Sequence, residues 1–306
     1  MFSVIFPGQG SQIVGMGMDL FKNYESVKKL FSDADDILDF PISQMILEGP
    51  KDQLDLTENT QPAIFLVSYS IFNVVKNEFG INLNNAKYFA GHSLGEYSAL
   101  ASSEFLSFAD TLKILKLRGK AMQTAVPKGD GGMLAILGAD LEKVEKIISQ
   151  FDCEIANDNS NGQIVVSGKT NKLETLIFEL KAKGIKNIKL PVSAPFHCKM
   201  MHKATEIMSK EINKINFKKG KNELISNVIA RNISDPEEIK KFLIQQIESR
   251  VRWRESINFM INNGIKQFIE IGPGKVLSGL IKRINRDVKV CAINNEEDIK
   301  TININD

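Results

Sequence analysis

Short apolar runs alternate along this chain with longer stretches whose apolar positions recur with the period of an α-helix. The short runs predict strands at 4–6, 88–91, 224–228, 267–271 and 288–293. The longer stretches predict helices at 16–38, 61–79, 108–124, 236–248, 253–263 and 275–285. Because strand and helix follow each other repeatedly, the pattern predicts an α/β fold with a mainly parallel, helix-flanked sheet.

The middle of the chain has a different order of elements. Its pattern predicts strand, helix, two strands joined by the turn-rich DNSNG, helix and strand, at 132–138, 141–151, 153–157, 163–168, 171–184 and 185–192. The order β-α-β-β-α-β is that of a ferredoxin-like unit. We therefore expect a discontinuous large domain, 1–127 and 194–306, and a small inserted ferredoxin-like domain, 128–193. A cleft between such domains is a common place for a ligand.

Composition narrows the class of protein. The 306 residues are 43% hydrophobic and 25% charged, and 39 basic side chains nearly balance 37 acidic ones, which favours a soluble globular protein and no nucleic-acid partner. The three cysteines are widely spaced, so neither a disulfide framework nor a paired-cysteine metal site is expected. We see no targeting segment and no apolar run long enough to insert into a membrane, and we expect a cytoplasmic protein.

The pentapeptide Gly91-His92-Ser93-Leu94-Gly95 follows a predicted strand and opens a helical stretch. This is the context of a nucleophile elbow, in which the serine lies at a tight strand-to-helix turn and the flanking glycines avoid collisions with neighbouring backbone. The helix N-terminus would favour negative charge that develops beside Ser93. An ordinary helix-capping serine is the alternative. The elbow makes the large domain α/β-hydrolase-like.

A serine nucleophile needs a base, and the chain has only three histidines. The side chain of His92 should diverge from its neighbour Ser93. We therefore expect His197, which lies where the inserted domain returns to the large one, to be the base, although a structural histidine is an equally good interpretation. His202 is expected on the surface or behind the site.

The glycine-rich turn PGQGSQ (7–12) lacks the third glycine of a dinucleotide-binding loop, because Ile13 stands at that position. Such a turn after the first strand can instead supply a main-chain donor to an oxyanion, together with the N–H of Leu94. A plain strand-to-helix turn is the alternative.

Seven segments, read together and in order, are similar to those of the malonyl-CoA:acyl carrier protein transacylases, the acyltransferases of fatty-acid synthesis. They are FPGQGSQ (6–12), TQPAIF (60–65), GHSLGEYSAL (91–100), LRGKAMQ (117–123), IANDNSNGQIVVSG (155–168), SAPFHC (193–198) and IGPGKVLSGLIKRI (271–284). The resemblance covers essentially the whole chain and implies the same activity here.

The resemblance also implies roles for single positions. Ser93 would carry the malonyl group as an ester and His197 would be the general base and acid. The other implied roles are oxyanion-hole amides for Gln9 and Leu94, carboxylate binding for Arg118, pocket lining for Met122, support of the site for His92 and Asn159, and a main-chain carbonyl that orients the histidine for Arg252.

An arginine in an apolar helical stretch agrees with that role, because a buried guanidinium needs an anionic partner and fits a carboxylate with two hydrogen bonds. An Arg118 side chain that reaches solvent, or one that pairs with Glu96, is the alternative.

The resemblance implies malonyl-CoA and an acidic acyl carrier protein as partners and no metal or other cofactor. We expect a monomer. The basic residues Lys282, Arg283 and Arg286 of the last predicted helix could attract the carrier protein, or could simply be a solvated helix face.

Two other functions stay open. A thioesterase or esterase of the α/β-hydrolase type would need its histidine near the C-terminus, and a non-catalytic binding relative would not need Ser93, His197 and Arg118 together.

Overall fold

The computed structural model describes residues 1–192 and 194–302. Ser193, which ends the predicted inserted domain and begins the SAPFHC segment, lies outside the described residues, as do 303–306 of the predicted large domain.

Ten strands are present in these ranges. They are β1 (Phe2–Phe6), β2 (Tyr88–Gly91), β3 (Gly131–Leu137), β4 (Cys153–Ser160), β5 (Gln163–Lys169), β6 (Lys186–Lys189), β7 (Glu223–Ile225), β8 (Asn232–Ile233), β9 (Gln267–Ile271) and β10 (Lys289–Ile293).

Fourteen α-helices accompany them in the same ranges. They are α1 (Met18–Asn23), α2 (Glu25–Leu38), α3 (Ile42–Glu48), α4 (Lys51–Leu54), α5 (Thr57–Asn77), α6 (Gly95–Ser102), α7 (Phe108–Thr124), α8 (Leu141–Ile148), α9 (Thr170–Ala182), α10 (His202–Ile212), α11 (Pro236–Gln246), α12 (Trp253–Asn262), α13 (Val276–Ile284) and α14 (Glu296–Thr301). None of the described helices is both long and apolar enough to cross a membrane.

The larger sheet has six strands in the order β10-β9-β1-β2-β7-β8. All neighbouring strands in it are parallel except β7 and β8. Every residue of β1 is buried, as expected for a parallel strand with helices on both faces. The predicted α/β class and mainly parallel sheet are therefore confirmed.

The register of β1 and β2 determines where the site forms. Phe6 pairs with Gly91, so the two strands end side by side. The carboxyl ends of parallel strands meet at one edge of a sheet, where ligands of α/β proteins commonly bind. The loop at 7–12 and the turn that holds Ser93 consequently leave the sheet next to each other.

The smaller sheet has four strands in the order β4-β5-β3-β6, and all its neighbouring strands are antiparallel. With α8 between β3 and β4 and α9 between β5 and β6, this is the ferredoxin-like arrangement that the sequence predicts. One face of the sheet packs against its own helices, and residues on the other face, including Met133 and Val165, join the core of the larger sheet. The domain boundaries at 127/128 and 193/194 stay a prediction.

Two predicted strands are too long, because β7 ends at Ile225 and β6 at Lys189 rather than at 228 and 192. Two further local predictions are wrong. The stretch 16–38 is not one helix, because Tyr24 is extended and separates α1 from α2. DNSNG is not a five-residue turn, because β4 continues through Ser160. Contacts distant in sequence hold this extension, since the Asp158 main-chain N–H donates to the Val251 carbonyl at 3.0 Å and Arg254 binds the Asp158 carboxylate.

Candidate active site

Ser93 occupies the turn between β2 and α6 in a left-handed conformation, with a φ of 53°. This conformation is costly for a residue other than glycine and is often found at functional sites. A Cβ atom on Gly91 would lie 1.9 Å from the carbonyl of Gly95, and one on Gly95 would lie 2.3 Å from the carbonyl oxygen of Phe6. Both glycines are therefore required by close backbone approach, which is the geometry of a nucleophile elbow.

The hydroxyl of Ser93 lies 2.8 Å from Nε2 of His197. The other ring nitrogen, Nδ1, lies 2.8 Å from the main-chain carbonyl oxygen of Gln246. Because a carbonyl only accepts hydrogen bonds, Nδ1 carries the proton and Nε2 is left as an acceptor for the serine proton. The arrangement is a serine–histidine pair whose histidine is oriented by a helix end.

The prediction that the main chain of Arg252 orients the histidine is wrong. The Arg252 carbonyl accepts hydrogen bonds from Ser256, and its guanidinium binds the carboxylate of Glu255. Gln246 takes the orienting position because it is the last residue of α11, where a carbonyl has no partner within the helix.

Burial, together with the nearby positive charge of Arg118, lowers the pKa of His197 to about 3. The imidazole is therefore neutral near pH 7 and can accept a proton from Ser93. His202, in contrast, lies at the exposed start of α10 with its Nδ1 3.0 Å from the Glu248 carboxylate.

Arg118 lies on α7 with its side chain entirely buried. Its two Nη atoms donate to the side-chain oxygens of Gln61 at 2.8 Å and Gln246 at 2.7 Å, and to the Ser93 hydroxyl at 3.2 Å. Within the described part of the chain Arg118 forms no ion pair, and its Nε has no hydrogen-bond partner. The alternatives of a solvent-reaching arginine and of an ion pair with Glu96 therefore do not hold.

Two main-chain N–H groups stand free beside Ser93. Over residues 1–192 and 194–302, the N–H groups of Gln9 and Leu94 have no internal hydrogen-bond partner. Gly8 brings the first loop close, because a Cβ atom on it would lie 2.7 Å from the His92 carbonyl oxygen. Free donors from two adjacent loops are what an oxyanion hole requires.

His92 points away from the serine hydroxyl. Its Nε2 lies 2.8 Å from the side-chain oxygen of Asn159 on β4, and its ring packs edge-on against Trp253 at 5.6 Å. Burial lowers the pKa of His92. Asn159 thus reaches the site only through His92, and the pair joins the elbow to the smaller sheet.

A cavity of about 440 Å³ opens beside Ser93 and His197. Helices α5 and α7 form one side of its wall, and strands β3 and β4 with the segment after β6 form the other; the side chains include Gln61, Arg118 and Met122 on the first side and Met133, Asn157, Leu190 and Val192 on the second. Sequence reasoning missed Gln61 and Gln246 as site residues. Gln61 belongs to the TQPAIF segment and could have been found there, whereas nothing in the sequence around Gln246 marks it.

Comparisons with known proteins agree with this geometry. Residues 3–299 match the acyl transferase domain family. The malonyl CoA-acyl carrier protein transacylase of Staphylococcus aureus (strain COL) is 42% identical over an aligned length of 310, which covers 99% of either protein.

Solved structures give the same result. The acyl-carrier-protein-S-malonyltransferase of Bartonella henselae superposes with a TM-score of 0.95 at 43% identity, covering 98% of this chain and 97% of that one. A malonyl-transacylase in complex with its type II PKS acyl-carrier protein superposes with a TM-score of 0.94 at 35% identity, covering 98% of both chains. The chain belongs to the acyl transferase family, among its malonyl CoA-acyl carrier protein transacylases.

Proposed function

We propose that this protein transfers the malonyl group of malonyl-CoA to the thiol of an acyl carrier protein, in fatty-acid synthesis, through a malonyl ester of Ser93. One observation carries the proposal beyond a general acyl transfer. A buried guanidinium with no carboxylate partner among the described residues lies 3.2 Å from the nucleophilic hydroxyl. An acyl group with its own carboxylate supplies the missing anion.

In the first half-reaction His197 accepts the proton of Ser93 through Nε2, and the serine oxygen attacks the thioester carbonyl carbon. The carbonyl oxygen becomes negative and is stabilised by the N–H groups of Gln9 and Leu94. The C–S bond then breaks, and the proton on His197 goes to the sulfur of coenzyme A. The malonyl ester remains on Ser93, with its carboxylate on Arg118.

The second half-reaction repeats these roles in reverse. The phosphopantetheine thiol of the carrier protein gives its proton to His197 and attacks the ester carbonyl. The same two N–H groups stabilise the oxyanion, and His197 returns the proton to Ser93 as the new thioester leaves. Met122 lines the acyl pocket, while His92 and Asn159 hold the elbow against the smaller sheet. No cofactor is needed in either half.

The proposed enzyme acts as a monomer in the cytoplasm, with a carrier protein as acceptor. A monomer as the acting unit belongs to the proposal, because the nucleophile Ser93, the base His197 and the arginine Arg118 of a single chain already lie within hydrogen-bond distance of one another. The three cysteines are free thiols, as is usual in a reducing compartment, and this supports a cytoplasmic enzyme. The names of the relatives support the carrier protein as acceptor.

The alternatives are tested by the fate of the acyl group. Wild-type protein incubated with malonyl-CoA should gain one malonyl group by mass spectrometry and lose it when carrier protein is added. Ser93→Ala should gain none, whereas Ser98→Ala, which alters a buried serine in the helix that follows Ser93, should still be labelled. Release of free malonate without carrier protein would instead indicate a thioesterase. An unlabelled wild-type protein would indicate a non-catalytic relative.

A further inference from the structure

Glu96 is a buried carboxyl group that the transfer described above does not use. It lies in the first turn of α6, three residues after the nucleophile, and is only 1% exposed. It accepts hydrogen bonds from Nε2 of Gln246 at 2.7 Å and from the main-chain N–H of Asn227 at 3.2 Å. Among the described residues it has no ion-pair partner. A buried carboxylate without a directly contacting cation is costly to keep ionised.

Gln246 separates this carboxyl group from the positive charge of the site. Its side-chain nitrogen donates to Glu96, and its side-chain oxygen accepts from Nη2 of Arg118 at 2.7 Å. One amide group thus lies between the two charges, so they attract each other without touching. The guanidinium keeps donors, among them its unpartnered Nε, for another anion.

We propose, on the basis of the function above, that Glu96 balances the charge of Arg118 in the empty site and takes up a proton from solvent when an acyl carboxylate occupies Arg118. With that acyl group bound, two carboxylates share one guanidinium. Like charges in a buried site disfavour joint ionisation. The acyl carboxylate contacts the guanidinium directly, whereas Glu96 does not, so Glu96 is the group that is protonated.

The protonated and ionised forms of Glu96 have similar populations near neutral pH. Burial raises its pKa to about 7, while the hydrogen bonds from Gln246 and Asn227 and the charge of Arg118 act in the opposite direction. Both hydrogen bonds survive protonation, because one oxygen of a neutral carboxyl group still accepts.

The other groups facing this cluster do not titrate near pH 7. Burial raises the pKa of Tyr97, the neighbour of Glu96 on α6, to about 12. His197 has a pKa of about 3, and burial lowers that of His92. Arg118 stays charged throughout. A proton-linked change centred near pH 7 would therefore come from Glu96 within this cluster.

The sign of the effect follows from linkage. Binding of a malonyl group raises the pKa of Glu96. Malonyl binding is therefore favoured when Glu96 is already protonated, and the affinity for malonyl weakens as the pH rises through about 7. The KM for malonyl-CoA should rise about tenfold between pH 6 and pH 8. The KM for acetyl-CoA should lack this rise, because acetyl has no carboxylate. The ratio of the two KM values cancels ionisations of the coenzyme itself.

Glu96→Gln tests the assignment, because it is isosteric and neutral and keeps an acceptor for Gln246 and Asn227. In this variant the ratio of the malonyl-CoA and acetyl-CoA KM values should stay constant to within about twofold from pH 6 to pH 8. Glu270→Gln is the matched control. Glu270 is also fully buried, but it accepts hydrogen bonds from the N-terminal N–H groups of α13. This control should keep the pH dependence of the wild type.

Proton uptake can also be measured with Glu96 intact, in the Ser93→Ala variant, which binds the substrates without forming the ester. Calorimetric titrations with malonyl-CoA in buffers of different ionisation enthalpy should show uptake approaching one proton at pH 8 and little at pH 6, and acetyl-CoA should show none. A wild-type KM ratio that does not change with pH, or a pH dependence that persists in Glu96→Gln, would overturn the inference. Neither result affects the malonyl ester on Ser93, whose absence would overturn the proposed function instead.

Discussion

Replacement of Arg118 by alanine should reverse the preference of the enzyme between acyl groups. The change removes a fully buried guanidinium that lies 3.2 Å from the Ser93 hydroxyl, and it leaves a malonyl carboxylate without a cation in a desolvated pocket. Truncating one partner of a buried charged pair costs about 2–5 kcal/mol, so malonyl transfer should fall by roughly 30-fold to several thousand-fold in kcat/KM.

Acetyl transfer should respond in the opposite way. Acetyl has no carboxylate and loses no contact, and the variant pocket no longer holds an unpaired cation beside the apolar acyl group. Its kcat/KM should therefore stay constant or rise.

The same substitution should destabilise the fold to a limited degree. The side-chain oxygens of Gln61 and Gln246 lose their Arg118 donors, and an unsatisfied buried acceptor costs about 1–3 kcal/mol. Thermal unfolding should be followed alongside the kinetics, so that both substrates are compared at a temperature where the variant is folded.

The assay is transfer from malonyl-CoA and from acetyl-CoA to the same purified carrier protein. Arg231→Ala, which removes an exposed arginine, is the control and should leave the ratio of the two activities unchanged. If malonyl and acetyl transfer fall together in folded Arg118→Ala, the arginine is structural and the proposed basis of selectivity is wrong.

Two further results are expected. Because the pKa of His197 is lowered to about 3, its imidazole is neutral above that pH, and kcat/KM for acetyl-CoA should not fall between pH 8 and pH 5; a decline centred near 6.5 would show an ordinary histidine. Arg283 and Arg286 are exposed on and after α13, so reversing both charges should raise the KM for an acidic carrier protein and lower its salt dependence, while the KM for malonyl-CoA stays the same. An unchanged KM for the carrier protein would mean that this helix face is only solvated.

Elements whose limits depend on their own residues could be predicted from the sequence. The helix at Phe108–Thr124 and the strand at Gln267–Ile271 begin and end where the pattern predicts. The elbow could also be predicted, because the collision that Gly91 avoids is with the nearby backbone of Gly95. The collision that Gly95 avoids is with Phe6 on β1, and only the fold shows it. Burial periodicity and turn sterics act over a few neighbouring residues, so they remain visible in a linear pattern.

Features that depend on distant partners could not be predicted in this way. DNSNG has the composition of a turn, yet Val251 and Arg254 hold Asp158 in a strand. The resemblance predicts the carbonyl that orients His197 at Arg252, six positions after Gln246, where the structure has it. The decisive property of Gln246 is its position at the end of α11, where its carbonyl has no partner within the helix, and only the fold brings that carbonyl to the histidine.

The α/β class, the ferredoxin-like insertion and the types of side chain at the site can be inferred from the sequence, because each depends on local pattern or on residue identity. The tertiary structure decided which buried groups meet. Gln246 contacts Arg118 and Glu96 through its side chain and His197 through its main chain, although these residues are widely separated along the chain. Hydrogen-bond networks in a core depend on side chains that packing brings together, and the spacing of residues along the chain does not show which side chains meet.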